Sequence, residues 1–161
     1  NARWRDSKRP STRCTGTEMK LDVDEARRRF ANSRVARLAS VSETGRPHIV
    51  PVVFVVIDQK IYTAVDAKPK ATKALRRLAN IRVNPLVSLL TERYADDDWD
   101  ALWWARADGA ARVLGPDEAE ADVALEALIG RYSQYRERPP DGPVLAVAVQ
   151  KWSGWSASQS P

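Results

Sequence analysis

A single cysteine, Cys14, excludes an internal disulfide framework and a cysteine-based zinc site. A single histidine, His48, excludes paired-histidine metal motifs and leaves a Ser-His-Asp triad only one route. The seven glycines never cluster as GxGxxG or GxxxxGK, so no glycine-rich phosphate loop is present. No carboxylate pair stands out as an acid/base couple. No apolar run approaches the roughly 18 residues of a spanning helix. The longest, residues 49–57, is interrupted by Pro51, and no membrane partner is expected.

What is present describes an ordinary folded domain. At 161 residues, with 43% hydrophobic and 29% charged side chains, the chain suits one domain with a substantial core. The net charge of +5 is unevenly placed. Arg3, Arg5, Lys8, Arg9 and Arg13 outweigh Asp6 and Glu18 by three, so residues 19–161 carry only +2. A nucleic-acid function built on the basic balance is therefore weak, and no nucleic-acid partner is expected. Residues 1–18 are Arg-rich without an apolar stretch, which is not a secretory signal. Met19 is the sole methionine and opens a natural-looking start. Residues 1–18 thus read as a disordered leader or upstream translation, 19–157 as the domain and 158–161 as a tail. A cytoplasmic location is expected.

Asp22 and Glu25 make a capping-box-like start, and Val23, Ala26 and Phe30 predict an amphipathic helix over 22–31. Segments 34–41, 46–57 and 60–65 predict three consecutive antiparallel strands, joined by turns at 42–45 and Asp58-Gln59. A short helix follows over about 69–79, with Pro69 in its first turn. Strands are predicted at 86–94, 102–114 and 144–157, with a helix from about 117 to 135 before the last. Asp108-Gly109 reads as a hairpin turn or a glycine bulge. The fold class is α+β, mainly β: a six-stranded antiparallel split β-barrel with about three flanking helices. The 46–57 strand is apolar on both faces, so a helix or a second subunit must cover the face turned from the core. A homodimer is expected.

Three features bear on chemistry. On a helix starting near Pro69, Lys70, Lys73 and Arg77 form one stripe, and Lys68 precedes it beside the free N–H groups of the helix end. That is either an anion site or a solvated basic face. Pro51 within a strand marks an edge or a bulge, leaving the main chain at Val52 and Val53 to face either solvent or a planar ligand. Of six tryptophans, only Trp4 lies outside the C-terminal half. Trp103 and Trp104 point to opposite faces of their strand, as do Trp152 and Trp155. One of each pair is expected in core or interface, leaving the others to stack on an aromatic ligand. The run Asp96, Asp97, Asp98 and Asp100 lacks calcium-loop spacing and reads as a solvated loop.

The segments VARLASVSETGRPHIVPVVFV (35–55) and IYTAVDAKPKATKALRRLANIRVNPLVSLL (61–90) resemble the pyridoxamine 5′-phosphate oxidase-like split β-barrel family. YADDDWDALWWARADGAARVL (94–114) and WSGWSA (152–157) extend the likeness, within that family, to the branch using the deazaflavin coenzyme F420. It does not extend to the additional substrate-binding basic residues of the pyridoxamine-oxidising members. The resemblance implies a homodimer with two cofactor sites at the subunit interface. It places Lys68, Lys70 and Lys73 at the cofactor phosphate, Pro51, Val52 and Val53 along the ring, and Thr63 near the phosphate-bearing side chain. Trp103 and Trp155 are the candidate pocket aromatics from the partner. The implied activity is hydride transfer between reduced F420 and a small organic acceptor. The alternatives are an FMN-dependent oxidoreductase of the same fold and a non-catalytic binder of flavin, F420 or haem.

Overall fold

The computed structural model describes residues 19–65, 71–115 and 117–158. Its elements, in chain order, are β1 (Met19–Lys20), α1 (Val23–Asn32), β2 (Val35–Val41), β3 (Pro47–Val53), β4 (Val55–Ile57), β5 (Lys60–Ala64), α2 (Ala71–Val83), β6 (Leu86–Arg93), β7 (Trp103–Val113), α3 (Ala119–Arg131), α4 (Ser133–Glu137) and β8 (Val144–Ser156). The strands form one antiparallel sheet in the order β3-β2-β6-β7-β8-β5-β4, with β1 added against β8.

The barrel follows from one residue. β3 and β4 stand at opposite ends of that order, yet only Phe54 separates them in the chain. The sheet must therefore curl until its two ends meet. Alternation runs through the switch unbroken: Val52, Phe54 and Val56 face the barrel interior, and Val53, Val55 and Ile57 the outer core. The predicted single strand over 46–57 is thus two strands, and the predicted three-stranded meander is corrected. β2 pairs with β3 and β4 with β5, but β5 takes β8 as its other neighbour. This split and the short β1 raise the strand count above the expected six without changing the fold class.

Two cores result. The barrel interior holds Leu38, Phe54, Ile61, Leu89, Leu145, Val147 and Trp152, with Phe30 of α1 entering from one side. The Phe30 ring lies 4.8 Å from Phe54 and 5.2 Å from Trp152. The outer core packs α3 and α4, through Leu128, Tyr132 and Tyr135, onto Val55, Tyr62 and Ala146. Local signals behave as their chemistry requires. The Asp22 carboxylate caps α1 by accepting from Glu25 N–H at 2.7 Å. Asp58 adopts positive φ (52°) in the β4–β5 turn. The register of β7 against β8 shifts at Asp108/Gly109, which settles that site as a bulge. A Cβ on Gly109 would sit 2.2 Å from the Ala148 carbonyl oxygen, so only glycine fits the approach. The helix predicted to run through 117–135 breaks at Tyr132, whose φ of −116° and ψ of 118° are extended.

Candidate functional site

The break between β3 and β4 creates the candidate site. A chain leaving one ladder for another exposes main-chain groups that need partners. Phe54 finds them on a side chain. Its N–H donates to Tyr132 Oη at 3.1 Å, and that hydroxyl lies 2.7 Å from the Phe54 carbonyl oxygen and 2.9 Å from that of Arg34. Tyr132 thus fastens the strand switch to the start of β2. Arg131 adds two hydrogen bonds at 2.7 Å to the carbonyls of Ala31 and Ser33, closing the end of α1.

Beside this anchor lies a cleft of about 230 Å³. Pro51, Val52 and Val53 form one wall and Thr63 and Ala64 another; Arg77 of α2, Val35 and Tyr135 complete it. Four of the residues singled out in the sequence, Pro51, Val52, Val53 and Thr63, therefore meet in one place. Pro51 sits on an end strand of the sheet order, opposite Arg37 of β2. The edge reading of that proline holds, and its missing N–H removes nothing from an inner ladder. The outer edge of β3 has no ladder partner among the described residues. Thr63 is only 1% exposed, and its Oγ1 has no hydrogen-bond partner among the described residues. An unpaired buried hydroxyl costs about 1–3 kcal/mol, so one in a cleft wall points to a polar ligand. A guanidinium, a free hydroxyl and an unpaired strand edge fit a group carrying a phosphate and a planar heterocycle.

His48 lies three residues before Pro51 on β3, directly across the ladder from Ser40. Asn80 Nδ2 donates to Ser40 Oγ at 3.1 Å, and both of those side chains are buried. Burial lowers the His48 pKa, and Arg76 and Arg77 lower it further, which keeps the imidazole neutral near pH 7.

Lys68 and Lys70 lie outside the described residues, and so does the side chain of Lys73. The backbone of α2 carries Lys73 and Arg77, two of the three residues of the predicted stripe, about one turn apart on the helix that walls the cleft. The two tryptophans do not come together within the chain. Trp103 is opposite Ser156 in the β7–β8 ladder, whereas Trp155 is opposite Trp104, so the two candidates point from opposite faces of the sheet. Trp103 lines a second, larger cleft of about 590 Å³ between the end of α1 and strands β2 and β6. The sequence reading missed that cleft, together with Arg29, Arg34 and Arg37 that line it. The available signal was Arg37, a cation between Val35 and Ala39 on the outward face of a strand.

Among the described residues, no helix is long and apolar enough to cross a membrane. No curated protein matches the chain. Solved structures do. A FAD-binding protein from Mesorhizobium loti is 21% identical, with 88% of this chain and 99% of that chain covered and a TM-score of 0.67. A haem storage protein from Vibrio cholerae is 17% identical, with 82% and 94% covered and a TM-score of 0.64. The FAD-binding protein from Mycobacterium smegmatis is 16% identical, with 86% and 97% covered and a TM-score of 0.56. At these identities the likeness is one of fold. The sequence itself matches the family model of pyridoxamine 5′-phosphate oxidase over residues 23–156, from the first helix to the last strand, and the chain belongs to that family.

Proposed function

We propose that this chain is an oxidoreductase that holds a flavin-type cofactor in the Pro51–Thr63 cleft and works as a homodimer. The observation that carries this reading is the buried, unpartnered Thr63 hydroxyl beside Arg77 and the open edge of β3. Arg77 and Thr63 would hold a phosphate, and the main chain at Val52 and Val53 would lie along the ring. The bound group supplies hydride chemistry, which needs no acid/base couple from the protein. The chain's own share is to bind, to orient and to exclude water.

Size and surface support a second copy. At about 230 Å³ the cleft is below the roughly 300–1,000 Å³ of complete ligand pockets. Another wall must come from elsewhere. The outward face of β2, β3 and β6 exposes Val35, Ile49 (63%) and Leu86 (59%), an apolar strip that a second barrel would cover. Trp155 would serve the partner's cleft, whereas Trp103 packs against its own barrel core beneath Arg29.

Coenzyme F420 is the cofactor we place first. Lys68, Lys70 and Lys73 precede Arg77 in the sequence, and such a cationic segment suits a tail with several negative charges. The hydride acceptor is then a small organic molecule. FMN in the same cleft is the second reading, supported by the similarity in fold to the FAD-binding proteins from Mesorhizobium loti and Mycobacterium smegmatis. A non-catalytic haem binder is the third, supported by the Vibrio cholerae haem storage protein.

The test titrates the full chain with F420, FMN and haem, followed by absorbance and fluorescence. F420 is expected to bind, and Lys70→Glu to weaken it about tenfold or more with unchanged circular dichroism. FMN binding alone replaces F420 with FMN. Haem binding without turnover makes the chain a carrier. Binding of none of the three overturns the reading, as a clean monomer by sedimentation at micromolar concentration overturns the dimer.

A further inference from the structure

We propose that the larger cleft, between the end of α1 and the diverging strands β2 and β6, binds a planar organic anion of the aromatic carboxylate class. That this anion is a substrate of the oxidoreductase rests on the function proposed above; the binding itself does not.

The cleft exists because a ladder stops. β2 and β6 pair only from Arg37–Leu90 to Ala39–Ser88. Beyond Leu90 the strands part, and Val35 and Glu92 border a gap of about 590 Å³, inside the range of small-molecule sites. β6 keeps pairing with β7 through Arg93–Trp103, so Trp103 is carried to the far wall.

The floor is fixed in advance. The Arg29 side chain is 10% exposed and reaches Glu25 Oε1 at 2.5 Å and Ser156 Oγ at 3.4 Å. Its guanidinium carbon lies 5.5 Å from the Trp103 ring centroid. Glu25 balances this charge, and Arg29 and its neighbour Arg28 hold the Glu25 carboxyl below its ordinary pKa. Arg29 therefore serves to set the indole plane.

The charge left for a ligand is on the other two arginines. Arg34 donates to the Arg131 carbonyl at 3.0 Å and lies 4.6 Å from the Tyr132 ring centroid. Among the described residues no carboxylate is within ion-pair distance of Arg34. Arg37 lies 3.8 Å from Glu92, the far limit of an ion pair, and both side chains are half exposed. Such a pair contributes little and yields readily to a better acceptor. A carboxylate gains charge-assisted hydrogen bonds from two guanidiniums, and a ring attached to it gains the face of Trp103. A neutral ring forfeits the first and a bare ion the second. Val35 lines this cleft and the Pro51–Thr63 cleft alike, so an anion held here is the immediate neighbour of whatever occupies the smaller one.

The experiment uses the full chain with three probes: 2-naphthoate, 2-naphthamide and inorganic phosphate. Calorimetry gives the affinities, and the indole N–H resonance of Trp103, assigned with Trp103→Phe, gives the place. Naphthoate is expected to shift that resonance and to bind about tenfold or more tightly than either control. Arg37→Gln is expected to weaken naphthoate about fivefold or more with an unchanged melting midpoint. Equal affinity for naphthamide or phosphate, an unmoved Trp103 resonance, or an unchanged affinity in Arg37→Gln overturns the proposal. F420 and FMN titrations are run in parallel. Naphthoate binding without cofactor binding removes the oxidoreductase reading and leaves this site. Cofactor binding without naphthoate binding does the reverse.

Discussion

Tyr132→Phe removes one oxygen atom and should cost more than most surface substitutions. Tyr132 is buried, and its hydroxyl is the sole side-chain partner of Phe54 N–H among the described residues. The same oxygen lies at hydrogen-bond distance from two carbonyls, at 2.7 and 2.9 Å. Phenylalanine keeps the ring, the packing of Tyr135 against it at 5.9 Å and the Arg34 guanidinium above it at 4.6 Å. The loss is therefore polar. A buried N–H left unpaired costs about 1–3 kcal/mol, and losing the donor to the carbonyls adds about 1 kcal/mol. The expected destabilisation is about 2–4 kcal/mol. At this chain length that lowers the melting midpoint by roughly 4–16 °C. Urea unfolding at fixed protein concentration measures it, with the dependence on urea unchanged because the same surface is exposed. Pro51–Val53 run directly into Phe54, so affinity for the cofactor should fall in parallel. A loss below about 0.5 kcal/mol would refute the claim that this hydroxyl fastens the strand switch.

Two further perturbations probe the scaffold. Gly109→Ala puts a methyl 2.2 Å from a main-chain oxygen that cannot swing away, so β7 and β8 must part; a loss of about 2 kcal/mol or more is expected in urea. Glu120→Gln tests the tie between α3 and β5, where Glu120 Oε1 lies 2.8 Å from both Lys60 Nζ and Tyr62 Oη, and where Arg112 also reaches the carboxylate. The Lys60 and Tyr62 hydrogen bonds, with the charge of Arg112, hold its pKa down to about 2 against an ordinary 4.5. A depressed carboxylate pKa adds stability that is fully present above about 4.5 and is lost as pH falls toward about 2. The wild-type advantage over Glu120→Gln, about 1–2 kcal/mol at pH 7, should therefore fade between pH 4.5 and 2; an advantage that persists at pH 2 contradicts the assignment.

Local chemistry was legible because it is written in short spacings. Asp22 and Glu25 announced the start of α1, Asp58-Gln59 a hairpin turn, and Asp108-Gly109 an irregularity that the register shift shows to be a bulge. The family's fold and the meeting of Pro51–Val53 with Thr63 were legible from segments that carry a resemblance. The strand switch at Phe54 was not. An apolar run shows that both faces are covered, but not that the chain leaves one edge of a sheet for the other. The helix break at Tyr132 was missed as well, its one local signal being Gly130 in the last turn of α3. Both have one cause. The Tyr132 hydroxyl is committed to Phe54 and Arg34, contacts 78 and 98 residues away in the chain, and no local window contains them.

The two clefts then have a common origin in unfinished ladders. One opens where β3 ends and the chain crosses to β4; the other opens where β2 parts from β6. An antiparallel pair that continued through either gap would have satisfied its own main chain and left no room for a ligand. Side chains have taken over at both places. Tyr132 serves the first gap, and Arg29, fixed by Glu25, fills the base of the second. Substitutions at those supporting residues should accordingly reach ligand binding through the shape of a cleft, whereas Thr63 and Arg37 should reach it through the contact itself. The difference is measurable. A supporting substitution lowers stability and affinity together, and a contacting one lowers affinity at constant melting midpoint.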